Sequence, residues 1–192
     1  MAFEKVFVVC CMVLCFCSSA FSMPVRCKMN GHLTQINKQL LIELGCNFPE
    51  QCKKENVPVA VPVDAYEIAQ DSQIEDIKKI IYESLNHVNI IFMNGQKPAT
   101  WNKAHLNNFH NILHRQVEGL RQCVEIDNGT SFSGDGDSHP QGSYLMLKAY
   151  FEKLENVLKD KDYSFCAWEI VRKEIINNLI QVQLFMDRAE KL

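Results

Sequence analysis

The chain of 192 residues is long enough for one domain with a sizeable core. Its formal net charge of -3, with Lys and Arg scattered rather than gathered in runs, excludes the basic surface that nucleic acids or anionic membranes attract. These features favour a single compact domain without a nucleic-acid partner.

The N-terminal residues have the pattern of a signal peptide. The apolar stretch 6–17 is shorter than the roughly 20 residues that cross a bilayer. Ala20 and Ser22 then place small residues at the -3 and -1 positions of a cleavage site. The sequence predicts a signal peptide over residues 1–22 and a mature domain over 23–192 that is secreted and not inserted into a membrane.

Secretion changes the interpretation of the cysteines, because an oxidising compartment favours disulfides. Those outside the predicted signal peptide are Cys27, Cys46, Cys52, Cys123 and Cys166. An odd number makes two disulfides and one spare thiol the simplest account. No Cys-x-x-Cys pair occurs, which argues against a zinc site.

Apolar residues that recur every three or four positions predict five amphipathic helices, over residues 30–44, 74–93, 101–124, 143–159 and 165–186. Ser72 and Glu75 form a capping-box pattern before the second helix, and Asn94 with Gly95 ends it. Thr100 and Ser164 are suitable N-caps for the third and the last helix. No strand alternation, internal repeat or second domain is present in the sequence.

The last helix carries an apolar stripe, which consists of Trp168, Val171, Ile175, Leu179, Val182 and Met186. Cys166 lies in its first turn, where a disulfide can join it to another part of the chain. We therefore expect the other helices to pack around this one.

Two long connections separate the helices. The first, Cys46–Asp71, contains Pro49, Pro58 and Pro62 and is expected to be mostly extended. The second, Asp127–Gly142, is a polar loop in which Asn128 begins an N-glycosylation sequon. Two long connections are typical of the up-up-down-down bundle of helical cytokines, whereas a simple up-down bundle has short ones. The fold is predicted to be all-α, with five helices in that arrangement.

Enzymatic chemistry is not indicated. His110 and His114 lie one helical turn apart, but Asn111 occupies the position where a zinc metalloprotease has its glutamate. These two histidines are expected to be solvated. No serine nucleophile motif or phosphate-binding glycine loop occurs. We predict neither catalytic residues nor a metal or cofactor.

Several stretches together resemble the type I interferons. The run from Tyr163 to Ile175, with Tyr150 and Phe151 before it, is similar to the last part of that family's signature. Residues 99–124 are similar to its third helix and residues 41–62 to its first crossover. The residues at 31–33, 101–103 and 112–116 are closer to the fish branch, which has a four-cysteine pattern. Lys153, Val157 and the additional Cys46 depart from the family pattern.

The resemblance implies two disulfides, Cys27–Cys123 and Cys52–Cys166. Cys46 is the competitor of Cys52 for Cys166. The state of Cys46 is left open by the sequence, as a free thiol, the partner of Cys166 or an intermolecular link.

The resemblance further implies a secreted cytokine that bridges two class II cytokine receptor chains, so that Janus kinase and STAT signalling starts an antiviral response. A first receptor-binding face is expected from Lys53, Lys54, Arg172, Lys173, Ile176 and Ile180. A second, opposite face is expected from Trp101, His105, Asn108 and Lys148, with Trp101 half-buried. The alternatives are another helical cytokine, a receptor antagonist of the same fold, or a secreted lipid carrier.

Overall fold

The computed structural model describes residues 29–45, 47–130 and 139–189, and for residues 126–130, 139 and 140 it describes the backbone only. Within these ranges all regular structure is helical, as predicted. The elements are α1 (Gly31–Leu44), a 3-10 helix (Glu50–Glu55), α2 (Val63–Gln70), α3 (Ile74–Met93), α4 (Lys103–Thr130), α5 (His139–Asp160) and α6 (Phe165–Ala189). The predicted signal peptide lies outside the described residues.

Side-chain caps explain where three helices begin. The Asn30 Oδ1 atom accepts from the Leu33 amide at the start of α1, at 3.3 Å. Ser164 caps α6 as predicted, since its Oγ accepts from the Ala167 amide at 3.3 Å. The predicted Thr100 cap is wrong: the Asn102 Oδ1 accepts from the amides of residues 104 and 105, because the chain turns once more before α4 begins.

The start of α3 also differs from its predicted cap. The capping box expected of Ser72 and Glu75 is not formed, because the N-cap position falls on Gln73, one residue later. Gln73 makes no side-chain cap bond, and the buried Ser72 hydroxyl has no hydrogen-bond partner. The predicted end is confirmed, since α3 stops at Met93 before Asn94 and Gly95.

The first connection was predicted to be mostly extended, but it contains the 3-10 helix and α2. Pro62 occupies the N-cap position of α2, where its missing N–H group costs nothing. Ala65, Tyr66 and Ala69 then fall on one side of the helix and are buried. The prolines therefore limit where a helix can begin in this connection without preventing one.

The second connection is shorter than predicted. The backbone of α4 stays helical to Thr130 and α5 begins at His139. Asn128 therefore belongs to the last turn of a helix rather than to a loop, and its side chain lies outside the described residues.

Polar contacts show the direction of α1 relative to its neighbours. Two reach α4 and two reach α6: Asn37–Gln116 (3.2 Å), Glu43–His105 (3.7 Å), Lys38–Gln183 (3.2 Å) and Leu41–Arg172 (3.0 Å). Residue numbers rise along α1 as they fall along both partners. Helix α1 is therefore antiparallel to α4 and to α6.

Helix α3 is also antiparallel to α6, because Ser84 bonds Asn178 and the ring of Phe92 lies 5.7 Å from that of Trp168. Consequently α1 and α3 run in one direction and α4 and α6 in the other, which is the predicted up-up-down-down bundle. The turn at 161–164 returns the chain from α5 to α6. In the described part of the chain α4 and α5 do not pack together, because α3 lies between them.

The core follows the stripe predicted on α6. All six residues of that stripe, from Trp168 to Met186, are fully buried. Helix α6 packs against α1, α2, α3, α5 and the 3-10 helix, so the predicted central role of this helix is confirmed. None of the helices in the ranges that the structure describes combines the length and apolarity needed to cross a membrane.

Candidate functional site

A disulfide holds the 3-10 helix against the start of α6. The fully buried Cys52 is bonded to Cys166, with 5.2 Å between their Cα atoms. The pairing implied by the resemblance is present, so Cys166 is not the partner of Cys46. The disulfide brings residues 50–56 alongside the first half of α6.

Polar contacts extend this attachment along both sides of the disulfide. The Lys173 ammonium donates to the Asn56 Oδ1 atom at 2.9 Å and lies 5.3 Å from the centre of the Phe48 ring. Lys161 pairs with Glu55 at 3.1 Å. The crossover segment 48–56 is thus fixed to α6 by Lys173 and the disulfide, and to the turn before α6 by Lys161.

The attachment of the crossover segment to α6 forms an exposed surface with apolar residues at its centre. We use the name α6 surface for Lys53, Lys54, Lys173, Ile176, Ile180 and Leu184. Ile180 and Leu184 keep 37% and 44% of their area exposed, while Ile176 is partly buried against the core. Lys53 and Lys54 are exposed on the 3-10 helix and Lys173 is half-buried beside it. Apolar residues surrounded by charged ones are the usual composition of a protein interface.

Arg172 was predicted to belong to this surface, and the structure contradicts that prediction. Only 4% of Arg172 is exposed. Its guanidinium donates to the Glu169 Oε2 atom from Nη2 at 2.6 Å and from Nε at 3.1 Å, and from Nη1 to the Leu41 carbonyl at 3.0 Å. Buried charges of this kind must be paired and hydrogen-bonded, and these partners come from α6 itself and from α1. Arg172 is therefore turned into the bundle and away from solvent.

Trp101 is buried as well, with 3% of its area exposed rather than the predicted half. Its indole N–H donates to the Glu169 Oε1 atom at 2.6 Å, and its ring lies 5.8 Å from that of Trp168. The burial follows from these partners, which satisfy the indole N–H inside the core. Trp101 cannot contact a second protein without local unfolding.

The other residues of the predicted second face lie on two different helices, α4 and α5. His105 lies against the end of α1, where its Nδ1 atom is 3.3 Å from the Glu43 carbonyl oxygen. Asn108 on α4 and Lys148 on α5 are exposed but belong to helices that α3 separates. The outward side of α3 between them carries two exposed apolar residues that the sequence pattern did not indicate, Ile90 and Met93.

The structure does not test the Cys27–Cys123 disulfide or the glycosylation of Asn128. Cys123 is disulfide-bonded, and its partner lies outside the described residues, as do both Cys27 and Cys46. The Cys27–Cys123 pairing therefore remains a prediction, as does glycosylation of Asn128.

His110 and His114, which lie one turn apart on α4, differ from each other. His114 is exposed as predicted, whereas His110 is half-buried, with its ring 6.3 Å from that of Phe92. Its buried Nε2 atom has no hydrogen-bond partner, and burial together with the nearby Lys97 ammonium lowers the pKa of His110. No three residues of the metal-binding types His, Cys, Asp and Glu converge in the ranges described.

Glu169 is the functional residue that the sequence pattern leaves without a role. The available signal was its position, directly after Trp168 and three residues before Arg172, since opposite charges at that spacing pair on a helix. That spacing is equally common on exposed helix faces. Burial of the pair depends on Trp101 and Leu41, which are distant in sequence.

Comparison with known proteins is consistent across sequence and structure. A family model described as the interferon alpha/beta domain matches residues 28–189. Interferon a3 of Oncorhynchus mykiss is 33% identical over 80% of this chain and 79% of its own length. Human interferon kappa is 35% identical over 77% of this chain and 76% of its own length.

Solved structures show the same similarity. Zebrafish interferon 2 superposes with a TM-score of 0.70 and is 31% identical, and the match covers 81% of this chain and 97% of that one. Zebrafish interferon 1 has a TM-score of 0.67 over 82% of this chain and 94% of its own, at 22% identity, and supports the fold alone.

Proposed function

Because the chain belongs to the interferon alpha/beta family, the type I interferons, and is accordingly a cytokine and not an enzyme, we propose that it bridges two class II cytokine receptor chains and uses the α6 surface for one of them. The observation that carries the surface assignment is the exposed pair Ile180 and Leu184 beside a charged segment that a disulfide fixes. Secretion, supported by the signal-peptide pattern, delivers the molecule to receptors on the cell surface.

The α6 surface is suited to a receptor because its parts are held in place before binding. The disulfide and the contacts of Lys173 order the 3-10 helix in the free protein, so little conformational entropy is lost when a partner binds. Ile176, Ile180 and Leu184 supply a row of apolar contacts one helical turn apart. Lys53 and Lys54 attract an acidic rim on the partner and increase the rate of encounter.

A second receptor chain is proposed to bind the outward side of α3, together with Asn108 of α4 and Lys148 of α5. Met93 is 68% exposed, and Ile90 lies one turn before it on the same side of the helix. Both α4 and α5 pack against α3, so its outward side is the centre of this surface. Two chains bound on separate surfaces bring their Janus kinases together, which starts STAT signalling and an antiviral response.

The test compares three isoleucine variants in an antiviral reporter assay and in binding to the two receptor ectodomains, each immobilised alone. Ile180, Ile90 and Ile74 have the same exposed fraction of 37%, but Ile74 lies at the opposite end of α3 from Ile90 and Met93, outside both proposed surfaces. Ile180→Asp should weaken binding to one ectodomain by at least about tenfold and Ile90→Asp binding to the other, as expected for central interface residues. Ile74→Asp, at the first residue of α3, should bind both normally.

If Ile180→Asp binds both ectodomains as well as Ile74→Asp does, the α6 surface is not a receptor surface. If the wild-type protein binds one ectodomain tightly but induces no reporter, it is an antagonist of the same fold. If it binds neither, bridging is excluded.

A further inference from the structure

We propose that Arg172 is a positioning residue for the α6 surface, which fixes where α1 ends and how the segment carrying Lys53 and Lys54 leaves it. Arg172 is buried and therefore does not contact a receptor chain itself. The inference rests on the proposed receptor-binding function and adds to it a residue that acts through other residues.

The end of α1 lacks a stabilising charge of its own. Its last turn contains no basic residue, and the C-cap Gly45 is extended rather than left-handed. The last carbonyls of a helix have no intrahelical partner, and a cation there is favoured by the helix dipole. The Arg172 guanidinium supplies both a donor and a charge, since Nη1 donates to the Leu41 carbonyl at 3.0 Å. A residue of α6 thus provides the C-terminal cap of α1.

Gly45 shows that the chain then passes directly over the ion pair. A Cβ atom at Gly45 would lie 3.2 Å from the Arg172 Nη2 atom and 3.3 Å from the Glu169 Oε1 atom. These are distances at which a neighbour must move, so a larger residue would displace either the chain or the guanidinium. The path of the crossover out of α1 is therefore set by the position of Arg172.

The guanidinium is in turn held rigidly. The Glu169 carboxylate accepts hydrogen bonds from two Arg172 nitrogens and from the Trp101 indole. It is therefore held from α6 and from Trp101, which lies two residues before α4 begins. A planar guanidinium bound in this way has little freedom to rotate. The Trp101–Glu169–Arg172–Leu41 chain consequently joins α1, α6 and the start of α4 at one buried point.

Several attachments hold the crossover segment. Arg172 fixes its start at residues 41–45, Lys173 contacts the Phe48 ring and bonds Asn56, and the disulfide fixes Cys52. Lys53 and Lys54 lie directly after the disulfide. Loss of the first attachment should release residues 42–51 and change how the 3-10 helix lies on α6 without unfolding the bundle.

The test uses the double variant Glu169→Gln/Arg172→Met, because changing either residue alone would leave an unpaired buried charge. The amide still accepts from Trp101. The matched control is Tyr66→Phe, which removes one hydroxyl from another buried polar cluster, where Tyr66 of α2 bonds Ser84 and Asn178 and has no bond to residues 42–51. Amide hydrogen exchange and binding to each receptor ectodomain are measured on both variants, with Ile180→Asp as the direct-contact comparison.

We expect amides of residues 42–51 to exchange at least about tenfold faster in the double variant and not in Tyr66→Phe. Binding should fall by about tenfold for the same ectodomain that Ile180→Asp affects, and not for the other. If Ile180→Asp weakens binding and the double variant does not, Arg172 is not a positioning residue and the proposed function stands. If Ile180→Asp binds normally, the α6 surface assignment fails and this inference fails with it. Unchanged exchange at 42–51 overturns the inference whatever the binding result.

Discussion

The Tyr66 hydroxyl donates a hydrogen bond to the Asn178 Oδ1 atom at 2.7 Å, inside the bundle and 112 residues away in sequence. Ser84 completes the cluster, because its Oγ lies 2.8 Å from the same hydroxyl and accepts from the Asn178 amide at 3.0 Å. All three side chains are buried. One polar cluster therefore joins α2, α3 and α6, and it specifies where the short helix of the crossover packs.

Tyr66→Phe should destabilise the protein by about 1–3 kcal/mol, because the buried Asn178 oxygen loses its donor and cannot reach water. The free energy of unfolding from urea denaturation measures the effect. Receptor binding should remain normal, since α2 is not part of either proposed surface. A loss of less than about 0.5 kcal/mol would mean that a water replaces the hydroxyl.

Stability should fall at alkaline pH because buried tyrosines have a raised pKa. Burial raises the pKa of Tyr66, Tyr144 and Tyr150, and the carboxylates of Glu83 and Glu174 add to the effect at the last two respectively. The neutral phenol is favoured in the folded state, whereas an unfolded tyrosine ionises near pH 10. Unfolding thus releases protons above about pH 10, so the free energy of unfolding is unaffected by these groups below that pH and decreases above it.

Denaturant unfolding at several pH values between 8 and 11, followed by near-ultraviolet circular dichroism, checks this dependence. Phenolate absorbance should rise together with the loss of tertiary structure rather than before it. The double variant Tyr66→Phe/Tyr150→Phe should show a shallower decline. Full ionisation of all tyrosines near pH 10 with an intact fold would contradict the prediction.

The sequence predicted those features that depend on neighbours along one helix. The apolar stripe from Trp168 to Met186, the Ser164 cap and the end of α3 at Asn94 and Gly95 are all local patterns, and each is present. The direction of the helices followed from the lengths of the connections. These properties need no knowledge of which residues meet across the bundle.

What the sequence did not predict depends on contacts between distant residues. Helix α2 has only eight residues, too few for a periodic pattern to be distinct, and its burial needs Asn178. An arginine on a helix is ordinarily exposed. Arg172 is buried because the Leu41 carbonyl accepts one of its hydrogen bonds and Trp101 holds its partner Glu169 in place. The exposure of Ile180, by contrast, follows from its position on the outer side of α6, and its receptor-binding role remains a prediction.

Removing the Cys52–Cys166 disulfide should cost about 4–5 kcal/mol, since it closes a loop with a sequence separation of 114 residues and its loss increases the entropy of the unfolded chain. The double variant Cys52→Ala/Cys166→Ala tests this in urea. Helical content should be retained at low urea, because the core stripe of α6 does not depend on the disulfide. Binding through the α6 surface should weaken more than binding through α3, because the 3-10 helix loses its central attachment.

Substitution by alanine should have opposite effects on stability at two glycines, Gly95 and Gly119. Gly95 has a φ of +69°, and a Cβ atom there would lie 2.5 Å from the Tyr163 ring. Gly95→Ala should destabilise the protein by about 2–4 kcal/mol, because the left-handed backbone costs about 1–2 kcal/mol and the ring must move as well. Gly119 is exposed in the middle of α4 with open space around it, so Gly119→Ala should stabilise by about 0.5–1 kcal/mol through helix propensity. Thermal and urea unfolding measure the change in the free energy of unfolding for each variant. If Gly95→Ala is no more destabilising than Gly119→Ala, the turn after α3 moves readily away from Tyr163.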